Sequence, residues 1–442
     1  MTALLDGLRN VVGADHVLTD PQVRAAYETD WTRRYRGESL AVVRPASTQE
    51  VAAVVGTCRA HGAPVVPQGG NTGLVAGAVP TPGSVVLSLR RLRGVGPVEP
   101  ISGQVTVEAG VTLAELAAAV DGSGWEFGVD LGARDSATLG GMVATNAGGV
   151  RVVRHGSMRA NVLGVEVVLA DGSVVAHLDG LVKDNTGYDL SGLFCGSEGT
   201  LGVVTRARLR LVPVPRQRYV VWMACGSWAE AVGLASDARR RLDGVDGLEA
   251  VDAAGLALAE EQLGLPPLFG RRPEVALLVA GAGDDLPSEQ VGELVGDRAN
   301  VAATERPDRE RLWAYRERQT EAIARVGIPH KLDVTLPLAE LAAFTDAVRA
   351  VTAPHRLHLF GHLGDGNLHV NVVGPPANDL SVDAAVLQLV AEYGGSISAE
   401  HGIGAAKRQW LHLVRSPEEL SVFRSIKHAL DPTGLFNPGV LL

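Results

Sequence analysis

The sequence predicts an α+β protein built from two lobes. Short helical patterns alternate with apolar strand patterns along all 442 residues, which is long for a single domain. The sequence pattern changes at Pro213–Pro215. Glycine loops dominate before this point, and Arg- and Ala-rich helices follow it. We therefore expect an N-terminal helical arm at 1–40, a first domain at 41–213, a second domain at 214–395 and a C-terminal segment at 396–442.

Composition excludes several classes of protein. Hydrophobic residues make up 46% of the chain and charged residues 20%, which is enough apolar surface for a packed core and no case for disorder. The net charge of −10 repels phosphate backbones, which argues against a nucleic-acid partner. No run approaches the ~18 consecutive apolar residues of a membrane-spanning helix, so we expect no transmembrane anchor.

The cysteines and the N-terminus predict a location. Cys58, Cys195 and Cys225 form no CxxC pair, no disulfide framework and no iron–sulfur pattern, which favours a reducing compartment. Met1–Asp20 carries charged residues among its apolar positions, as an amphipathic helix does and a signal peptide does not. We therefore expect a cytoplasmic protein, and any iron–sulfur relay would lie on another chain.

Individual elements have local signals. In Ser47–His61, Ser47 stands at the N-cap, Glu50 at the capping-box position and valines form an apolar stripe, which predicts a helix. Ala63–Gln68 is typical of a buried strand that ends in a glycine loop. Further strands are predicted at Ser84–Leu89, Gln104–Glu108, Val162–Leu169, Val203–Val212 and Lys331–Leu336. Further helices are predicted at Thr112–Asp121, Trp228–Leu242, Pro307–Val326, Leu338–Val351 and Ser416–Leu430.

The glycine loops give the first indication of a ligand. No GxGxxG motif is complete, so a Rossmann dinucleotide site is not supported. Three glycine clusters occur instead, at Gly69–Gly73, Gly140–Gly149 and Gly196–Gly202. Such loops can present successive backbone N–H groups to an anion. One cluster alone would be read as an ordinary turn, but three clusters beside small polar side chains favour a pyrophosphate-bearing cofactor.

Five motifs in this region resemble one known family. They are PQGGNTG at Pro67–Gly73, ATNAGG at Ala144–Gly149, VLGVEVVLADGS at Val162–Ser173, KDNTGYDL at Lys183–Leu190 and GSEGTLG at Gly196–Gly202. These motifs resemble the FAD domain of vanillyl-alcohol-oxidase-type flavoproteins, and most of all the D-2-hydroxyglutarate dehydrogenase branch. The resemblance spans nearly the whole chain. It implies an FAD-binding domain at 41–213, a ferredoxin-like-type α+β substrate domain and a C-terminal segment that returns to the flavin.

The resemblance also implies how FAD is held. Its pyrophosphate would lie on the first two glycine loops and its isoalloxazine between the lobes. Family members with covalent flavin often carry a histidine in the first loop, where this chain has Gly70 and Asn71, so we expect noncovalent FAD. The expected cofactor-binding residues are Pro67, Gly69, Gly70, Asn71, Thr72, Gly73, Leu74, Asp135, Ser136, Thr138, Gly141, Ala144, Asn146, Gly148, Glu198, Gly202, Val204 and Asn437.

A hairpin pattern at Phe360–Val373 predicts a metal site. Asp365–Gly366 is a two-residue turn signal that would place His362 directly opposite His369, with Asn371 on the same face. Two imidazoles at that spacing suit one metal ion, although paired histidines can also be satisfied at a strand surface without an ion.

Glu400 and His401 complete this predicted site. Neighbouring strand residues point apart, so both side chains can reach it only if the glycine-rich backbone bends there. Two histidines and one carboxylate leave an open coordination position, which suits Zn²⁺ and also Mn²⁺ or Fe²⁺. The alternative is a solvated loop. The motifs GHLGDGNLH and EHG resemble the metal and proton-transfer motifs of the family, which supports His362, His369 and Glu400 as ligands.

Arg316, Thr320 and Lys331 are expected to bind the substrate carboxylate. By composition alone they would be surface residues, since the helix at Pro307–Val326 carries several other arginines. The resemblance implies their role, because they match residues that bind the substrate carboxylate in 2-hydroxyglutarate dehydrogenases. A guanidinium together with an ammonium is a suitable carboxylate clamp.

These residues predict the oxidation of a D-2-hydroxy acid. The substrate would bind the metal through its hydroxyl and a carboxylate oxygen, which lowers the pKa of the hydroxyl. His401 would remove the hydroxyl proton, Asn371 would orient the oxygen, and the Cα hydride would pass to flavin N5. D-2-hydroxyglutarate is favoured over D-lactate. The electron acceptor is left open among an electron-transfer flavoprotein, a quinone and oxygen.

Two other classes of protein share part of this pattern. A noncatalytic FAD subunit of a hydroxy-acid oxidase complex would keep the glycine loops without a metal site. A metal-dependent hydrolase would keep the metal ligands without the glycine loops. A homodimer is the base-rate expectation for the oligomeric state.

Overall fold

A computed structural model describes residues 1–442, and the chain divides into two compact units. The first unit comprises Met1–Gly149, Gly156–Val214 and Glu400–Leu442. The second unit comprises Val150–His155 and Pro215–Ala399. No helix of either unit has the length and apolar character needed to cross a bilayer.

Helices and strands alternate along most of the chain. The helices are α1 (Thr2–Val12), α2 (Pro21–Glu28), α3 (Thr48–Ala60), α4 (Leu113–Val120), α5 (Leu139–Thr145), α6 (Val152–His155), α7 (Met158–Asn161), α8 (Leu190–Phe194), α9 (Trp228–Arg241), α10 (Ala253–Leu263), α11 (Ser288–Val295), α12 (Arg306–Glu317), α13 (Gln319–Ala324), α14 (Leu341–Thr352), α15 (Ser381–Glu392) and α16 (Pro417–Leu430), with short 3-10 helices at Ala14–His16 and Arg408–Leu413. The strands are β1 (Val17–Leu18), β2 (Ser39–Val43), β3 (Val65–Gln68), β4 (Ser84–Ser88), β5 (Gln104–Glu108), β6 (Trp125–Phe127), β7 (Val162–Val168), β8 (Val174–His177), β9 (Val203–Pro213), β10 (Gln217–Cys225), β11 (Val245–Asp252), β12 (Val275–Gly283), β13 (Asn300–Ala303), β14 (Pro329–Thr335), β15 (Arg356–His362) and β16 (Asn367–Val373).

The first unit contains two sheets. In one sheet the order is β1-β2-β4-β3, where β2, β4 and β3 run parallel and β1 is an antiparallel edge strand. In the other sheet β5, β9, β7 and β8 are antiparallel neighbours, and β6 also pairs with β9. Helix α3 lies between β2 and β3 in the chain, as parallel strands require a crossover. The first glycine loop therefore begins at the carboxyl end of β3.

Helix α3 shows how closely local signals set the boundaries. The Ser47 hydroxyl accepts a hydrogen bond from the Glu50 N–H at 3.1 Å, which confirms the predicted N-cap. The Glu50 carboxylate accepts from the N–H of Ala46 at 2.7 Å, one residue before the position of a capping box. Val51, Val54 and other residues of the predicted stripe are fully buried.

The second unit contains one antiparallel sheet of seven strands in the order β13-β10-β12-β11-β15-β16-β14. On one face of this sheet, Val251 and Phe360 form a core with Leu256 of α10, Leu312 of α12 and Ile323 of α13. On β11, β15, β16 and β14 the same face also carries polar side chains, among them Glu249, His362 and Asp333. An apolar and a polar region therefore adjoin on a single rigid surface.

Two predictions for the second unit are wrong. The single helix expected at Pro307–Val326 is divided into α12 and α13 at Arg318, which has non-helical dihedral angles of φ −93° and ψ 8°. The turn between β15 and β16 has four residues, 363–366, so His362 pairs with Asn367 and Phe360 pairs with His369. His362 and His369 are therefore diagonal neighbours rather than directly opposed.

The physical reason is that the Asp-Gly signal occupies only the last two positions of the longer turn. The Asp365 carboxylate accepts a hydrogen bond from the N–H of Asn367 at 3.1 Å, and Gly366 takes a positive φ of 82°. Because the turn is longer by two residues, each side chain stays on the face that the prediction gave it.

The C-terminal segment packs within the first unit. Phe436 is fully buried and forms a parallel bridge with Val65 of β3. The Asp431 carboxylate accepts hydrogen bonds from the N–H groups of Leu435 and Phe436, both at 2.8 Å. The chain after α16 is thereby fixed beside the strand that leads into the first glycine loop.

Replacement of Phe436 by alanine should destabilise the first unit. A buried phenylalanine truncated to alanine leaves a cavity that costs about 3–5 kcal/mol, whereas leucine fills most of the space and should cost less. Urea unfolding should show a lower midpoint for Phe436→Ala than for Phe436→Leu. Equal midpoints for both variants and the parent protein would contradict this assignment of the anchor.

Candidate active site

The first glycine loop presents unpaired backbone donors. From Gly69 to Ala76, no backbone N–H donates a hydrogen bond within the protein. Val75 and Ala76 at the end of this stretch are buried. Unpaired N–H groups in a partly buried segment are rare unless a ligand or water accepts from them. The loop therefore has the donor set that an anionic group requires.

Close packing explains two of the glycines. A Cβ atom on Gly70 would lie 1.8 Å from the carbonyl oxygen of Ser136, and one on Gly69 would lie 2.1 Å from the Thr138 hydroxyl. That hydroxyl is buried and has no hydrogen-bond partner in the protein. The loop and Thr138 together form a cradle of unsatisfied donors, which fits the pyrophosphate of FAD.

Two asparagines of the expected cofactor-binding set also hold the loops in place. The Asn71 amide donates to the carbonyl oxygens of Thr29 at 2.9 Å and Ala26 at 3.3 Å. Asn146 Oδ1 accepts from the Ser157 hydroxyl and from the Arg159 N–H, each at 2.9 Å. Both residues have positive φ, 56° for Asn71 and 50° for Asn146, a conformation that asparagine tolerates better than most residues.

Glu198 and Asn437 tie the third glycine loop to the C-terminal segment. The buried Glu198 carboxylate accepts from the N–H groups of Ile403 at 2.8 Å and Gly404 at 2.7 Å, and burial raises its pKa. The Asn437 amide donates to the carbonyl oxygens of Glu198 at 2.7 Å and Gly77 at 2.8 Å. The remaining expected cofactor residues lie on β3, α5, the start of β9 and their adjoining loops: Pro67, Thr72, Gly73, Leu74, Asp135, Gly141, Ala144, Gly148, Gly202 and Val204.

Glu400 and His401 begin the C-terminal segment of the first unit. Glu400 Oε1 accepts from the N–H of Gly149 at 2.8 Å. Gly402 and Gly404 adopt positive φ values of 80° and 56°, so the backbone turns sharply after His401. A Cβ atom on Gly404 would lie 1.9 Å from the carbonyl oxygen of Val75, which explains a glycine at this position.

Strand register gathers the polar residues of the second unit on one face of its sheet. Each row contains residues paired across neighbouring strands, and paired residues share a face. The rows are Glu249, His362, Asn367 and Thr335; then Val251, Phe360, His369 and Asp333; then His358, Asn371 and Lys331.

Each of the two histidines on this face, His362 and His369, has its Nδ1 atom near a carboxylate. Their ring centroids are 5.3 Å apart. His362 Nδ1 lies 2.5 Å from Glu249 Oε1, and His369 Nδ1 lies 3.3 Å from Asp333 Oδ1. Burial lowers the pKa of His369 to about 3, so its ring is neutral. A neutral imidazole whose Nδ1–H donates to a carboxylate carries its lone pair on Nε2. Histidines that bind metal ions commonly have this arrangement.

Arg316 is buried beside these histidines. Its Nε donates to Glu249 Oε2 at 2.5 Å, and its guanidinium lies 4.6 Å from the centre of the Phe360 ring. Its terminal amino group is 3.4 Å from His362 Nε2. The side chain is only 9% exposed, so the expectation from composition that it lies at the surface is wrong.

Lys331 and Asn371 extend the same face, and Thr320 of α13 lies beside Lys331. Lys331 Nζ donates to the Thr320 hydroxyl at 3.4 Å, and burial lowers the pKa of the lysine to about 8. Asn371 is buried opposite Lys331, and its amide donates to the carbonyl oxygen of His369 at 3.3 Å. A cation, a hydroxyl and an amide are suitable groups for binding a carboxylate.

Sequence reasoning missed Glu249 and Asp333. Both are carboxylates within strands whose neighbours are apolar, Leu248 and Ala250 in one case and Leu332 and Val334 in the other. A charged residue between buried apolar residues needs a partner, and that signal could have marked them. Their partners could not be identified, since His362 is 113 positions from Glu249.

The chain matches two family models that together cover most of its length. The model described as "FAD binding domain" matches residues 39–177, and "FAD linked oxidases, C-terminal domain" matches residues 214–441. The chain is similar in fold to p-cresol methylhydroxylase with substrate bound, with a TM-score of 0.80, 17% identity and coverage of 99% of this chain and 96% of that one. The fold and both matches define an FAD-linked oxidase.

The curated relatives make the assignment more specific. D-2-hydroxyglutarate dehydrogenase of Bos taurus is 40% identical over 96% of this chain and 81% of the relative. The enzyme of the same name from Xanthomonas citri pv. viticola is 37% identical over 98% of this chain and 96% of the relative. The chain belongs to the D-2-hydroxyglutarate dehydrogenase family.

The predicted cytoplasmic location is wrong by this comparison. The relatives from Bos taurus, Rattus norvegicus and Danio rerio are all named as mitochondrial enzymes. The physical reason is that a low cysteine count separates reducing from oxidising surroundings and does not distinguish one reducing compartment from another.

Replacement of Gly70 by alanine should weaken FAD binding. The new Cβ would overlap the Ser136 carbonyl oxygen, so the loop that carries the unpaired donors must move. The flavin absorbance retained after desalting should fall relative to protein. Gly132→Ala is the matched control, because a Cβ atom there meets nothing within 4 Å. Full flavin retention in Gly70→Ala would contradict the proposed cradle.

Proposed function

We propose that this protein is an FAD- and divalent-metal-dependent dehydrogenase that oxidises D-2-hydroxyglutarate to 2-oxoglutarate. The observation that carries the proposal is the polar face of the second-unit sheet. There, two histidines with Nδ1 on carboxylates adjoin two cations, the buried Arg316 and the partly buried Lys331. This face therefore carries groups that suit a metal ion and groups that suit a dicarboxylate. The names of the relatives support the choice of substrate.

FAD would be held noncovalently by the first glycine loop and the Thr138 hydroxyl. The metal would be held by His362, His369 and Glu400, a donor set that accepts Zn²⁺ or Mn²⁺. When bound, FAD supplies the hydride acceptor and the cation supplies a Lewis acid for the substrate hydroxyl.

Protein side chains would perform proton transfer, substrate orientation and carboxylate binding. His401 takes the proton of the substrate hydroxyl, a general-base task that an imidazole can perform. Asn371 orients the substrate oxygen through its amide. Arg316, Thr320 and Lys331 bind a carboxylate, and a bound carboxylate in turn stabilises the charged form of the lysine.

A separate electron acceptor would be needed to reoxidise FAD, and we propose an electron-transfer flavoprotein or a quinone for this role. The three cysteines of the chain are buried free thiols. D-lactate is the second candidate substrate, because the residues that bind a hydroxyl and its adjacent carboxylate would serve both acids. We also expect a homodimer, on the base rate for soluble proteins.

Anaerobic mixing with D-2-hydroxyglutarate should bleach the flavin. The absorbance near 450 nm should fall with this acid, fall more slowly with D-lactate and stay constant with the L enantiomers. Chelation of the metal should abolish bleaching, and Zn²⁺ or Mn²⁺ should restore it. Bleaching that survives complete removal of metal would contradict the metal dependence, and bleaching by no D acid would contradict the proposed reaction.

His401→Ala is the control for this experiment. The variant should retain FAD, because the N–H groups of Ile403 and Gly404 still bind Glu198. Its flavin should remain oxidised in the presence of substrate.

The KM for D-2-hydroxyglutarate should rise above pH 8. Burial lowers the pKa of Lys331 to about 8, so its positive charge is present below this pH and is lost above it. The KM should then increase by up to about tenfold per pH unit, while Lys331→Arg should remove this rise because arginine stays protonated. A KM profile that is the same in both proteins would show that Lys331 does not bind the carboxylate.

A further inference from the structure

Glu249 is a buried carboxylate that the proposed reaction does not use. It lies on β11, and its side chain is 0% exposed. Its two oxygens have different partners, because Oε1 accepts from His362 Nδ1 and Oε2 accepts from Arg316 Nε, each at 2.5 Å. One carboxylate therefore contacts a proposed metal ligand and a proposed substrate-binding residue.

We infer that Glu249 is a positioning residue that couples the metal site to the carboxylate-binding arginine. The inference rests on the proposed function, in which His362 binds the metal and Arg316 binds the substrate. Glu249 itself need contact neither the metal nor the substrate.

The first half of the coupling concerns the tautomer of His362. An imidazole offers a lone pair on Nε2 only when its proton resides on Nδ1. The Glu249 carboxylate can only accept a hydrogen bond, so it stabilises the Nδ1–H form. Partners of this kind orient the ring and raise the basicity of the coordinating nitrogen.

The second half concerns the direction of the Arg316 guanidinium. Its Nε–H is occupied by Glu249, and the ring of Phe360 lies 4.6 Å from its central carbon. Both contacts restrict the plane of the group. One terminal amino group lies 3.4 Å from His362 Nε2, and the other remains to bind a carboxylate. A buried arginine also requires a nearby negative charge, which Glu249 supplies.

Asp333 provides an internal comparison. It contacts His369 at 3.3 Å, and it also accepts from the Asn367 amide at 2.8 Å and the N–H of Ala399 at 3.1 Å. Glu249 differs in that it joins a proposed metal ligand to the proposed substrate-binding arginine, Arg316.

Replacement by glutamine separates the two contacts. The amide has one oxygen acceptor and one NH₂ donor, whereas both partners of Glu249 donate. If its oxygen accepts from Arg316, its NH₂ faces His362 Nδ1 and moves the ring proton to Nε2, which blocks metal binding. If its oxygen accepts from His362, its NH₂ faces the Arg316 Nε–H. Both groups are donors, so this hydrogen bond is lost.

The test compares Glu249→Gln with the FAD-loaded parent enzyme. Zn²⁺ affinity, measured by competition with a chromophoric chelator, should fall by roughly 10–100-fold. Saturating Zn²⁺ selects the orientation in which His362 keeps its Nδ1 proton, so metal occupancy should recover. The KM for D-2-hydroxyglutarate should then remain at least several-fold above that of the parent, because Arg316 has lost its acceptor.

Glu230→Gln is the matched control. Glu230 also accepts from an arginine, Arg298 Nε at 2.8 Å, and from a second donor, the N–H of Gly226 at 2.7 Å, at the start of α9 in the same unit. Its replacement should leave both Zn²⁺ affinity and KM unchanged. If Glu249→Gln does not yield folded flavoprotein, Glu249→Asp serves instead, since its shorter carboxylate keeps the charge and cannot maintain both contacts.

The outcomes distinguish this inference from the proposed function. A parent enzyme that binds Zn²⁺, with Glu249 variants of equal affinity and equal KM at saturating Zn²⁺, would overturn the coupling alone. A loss of Zn²⁺ affinity with a KM that returns to normal at saturating Zn²⁺ would also overturn it. A parent enzyme that binds no Zn²⁺ but is bleached by D-2-hydroxyglutarate would overturn the metal part of the proposed function, and the coupling with it.

Discussion

Charge buried on one face of the seven-stranded sheet is the constraint on which the second unit depends. Transfer of an ionised group out of water is costly unless an opposite charge and hydrogen bonds replace the lost hydration. Glu249 satisfies this condition with Arg316 and His362, and Asp333 satisfies it with His369 and the backbone of Ala399. Because these groups lie on adjacent rigid strands, their geometry is fixed before any ligand arrives.

In the first unit, backbone N–H groups rather than charged side chains form the proposed binding surface. Its glycine loop leaves N–H donors unpaired while Asn71 and neighbouring side chains fix the path of the loop. Glu198 fixes the C-terminal segment in a comparable way, by accepting from Ile403 and Gly404. These side chains fix the backbone, whose unpaired N–H groups we propose as the donors to the cofactor. Asn71, Asn146 and Glu198 remain predicted cofactor-binding residues, and their side-chain contacts also support the loops.

Local sequence patterns predicted most helices and strands. Features that depend on contacts between residues far apart in the chain could not be predicted. Ser47 predicted the start of α3 because an N-cap involves only neighbouring residues. The register of β15 and β16 could not be derived, since Asp365–Gly366 is compatible with turns of two or of four residues. Burial of Arg316 depends on Glu249, which is 67 positions away in the chain. Resemblance to a family supplied the substrate and cofactor, which spacing alone did not provide.

The four-residue turn after β15 also restricts how this sequence can vary among descendants. Loss or gain of one residue at 363–366 would shift β16 by one position against β15 and turn His369 and Asn371 to the opposite face. A single-codon deletion in this turn would therefore remove the same chemistry as mutation of both residues. Viable changes of length in this turn should occur in steps of two, a pattern that lineages of the family would record as an even-numbered gap.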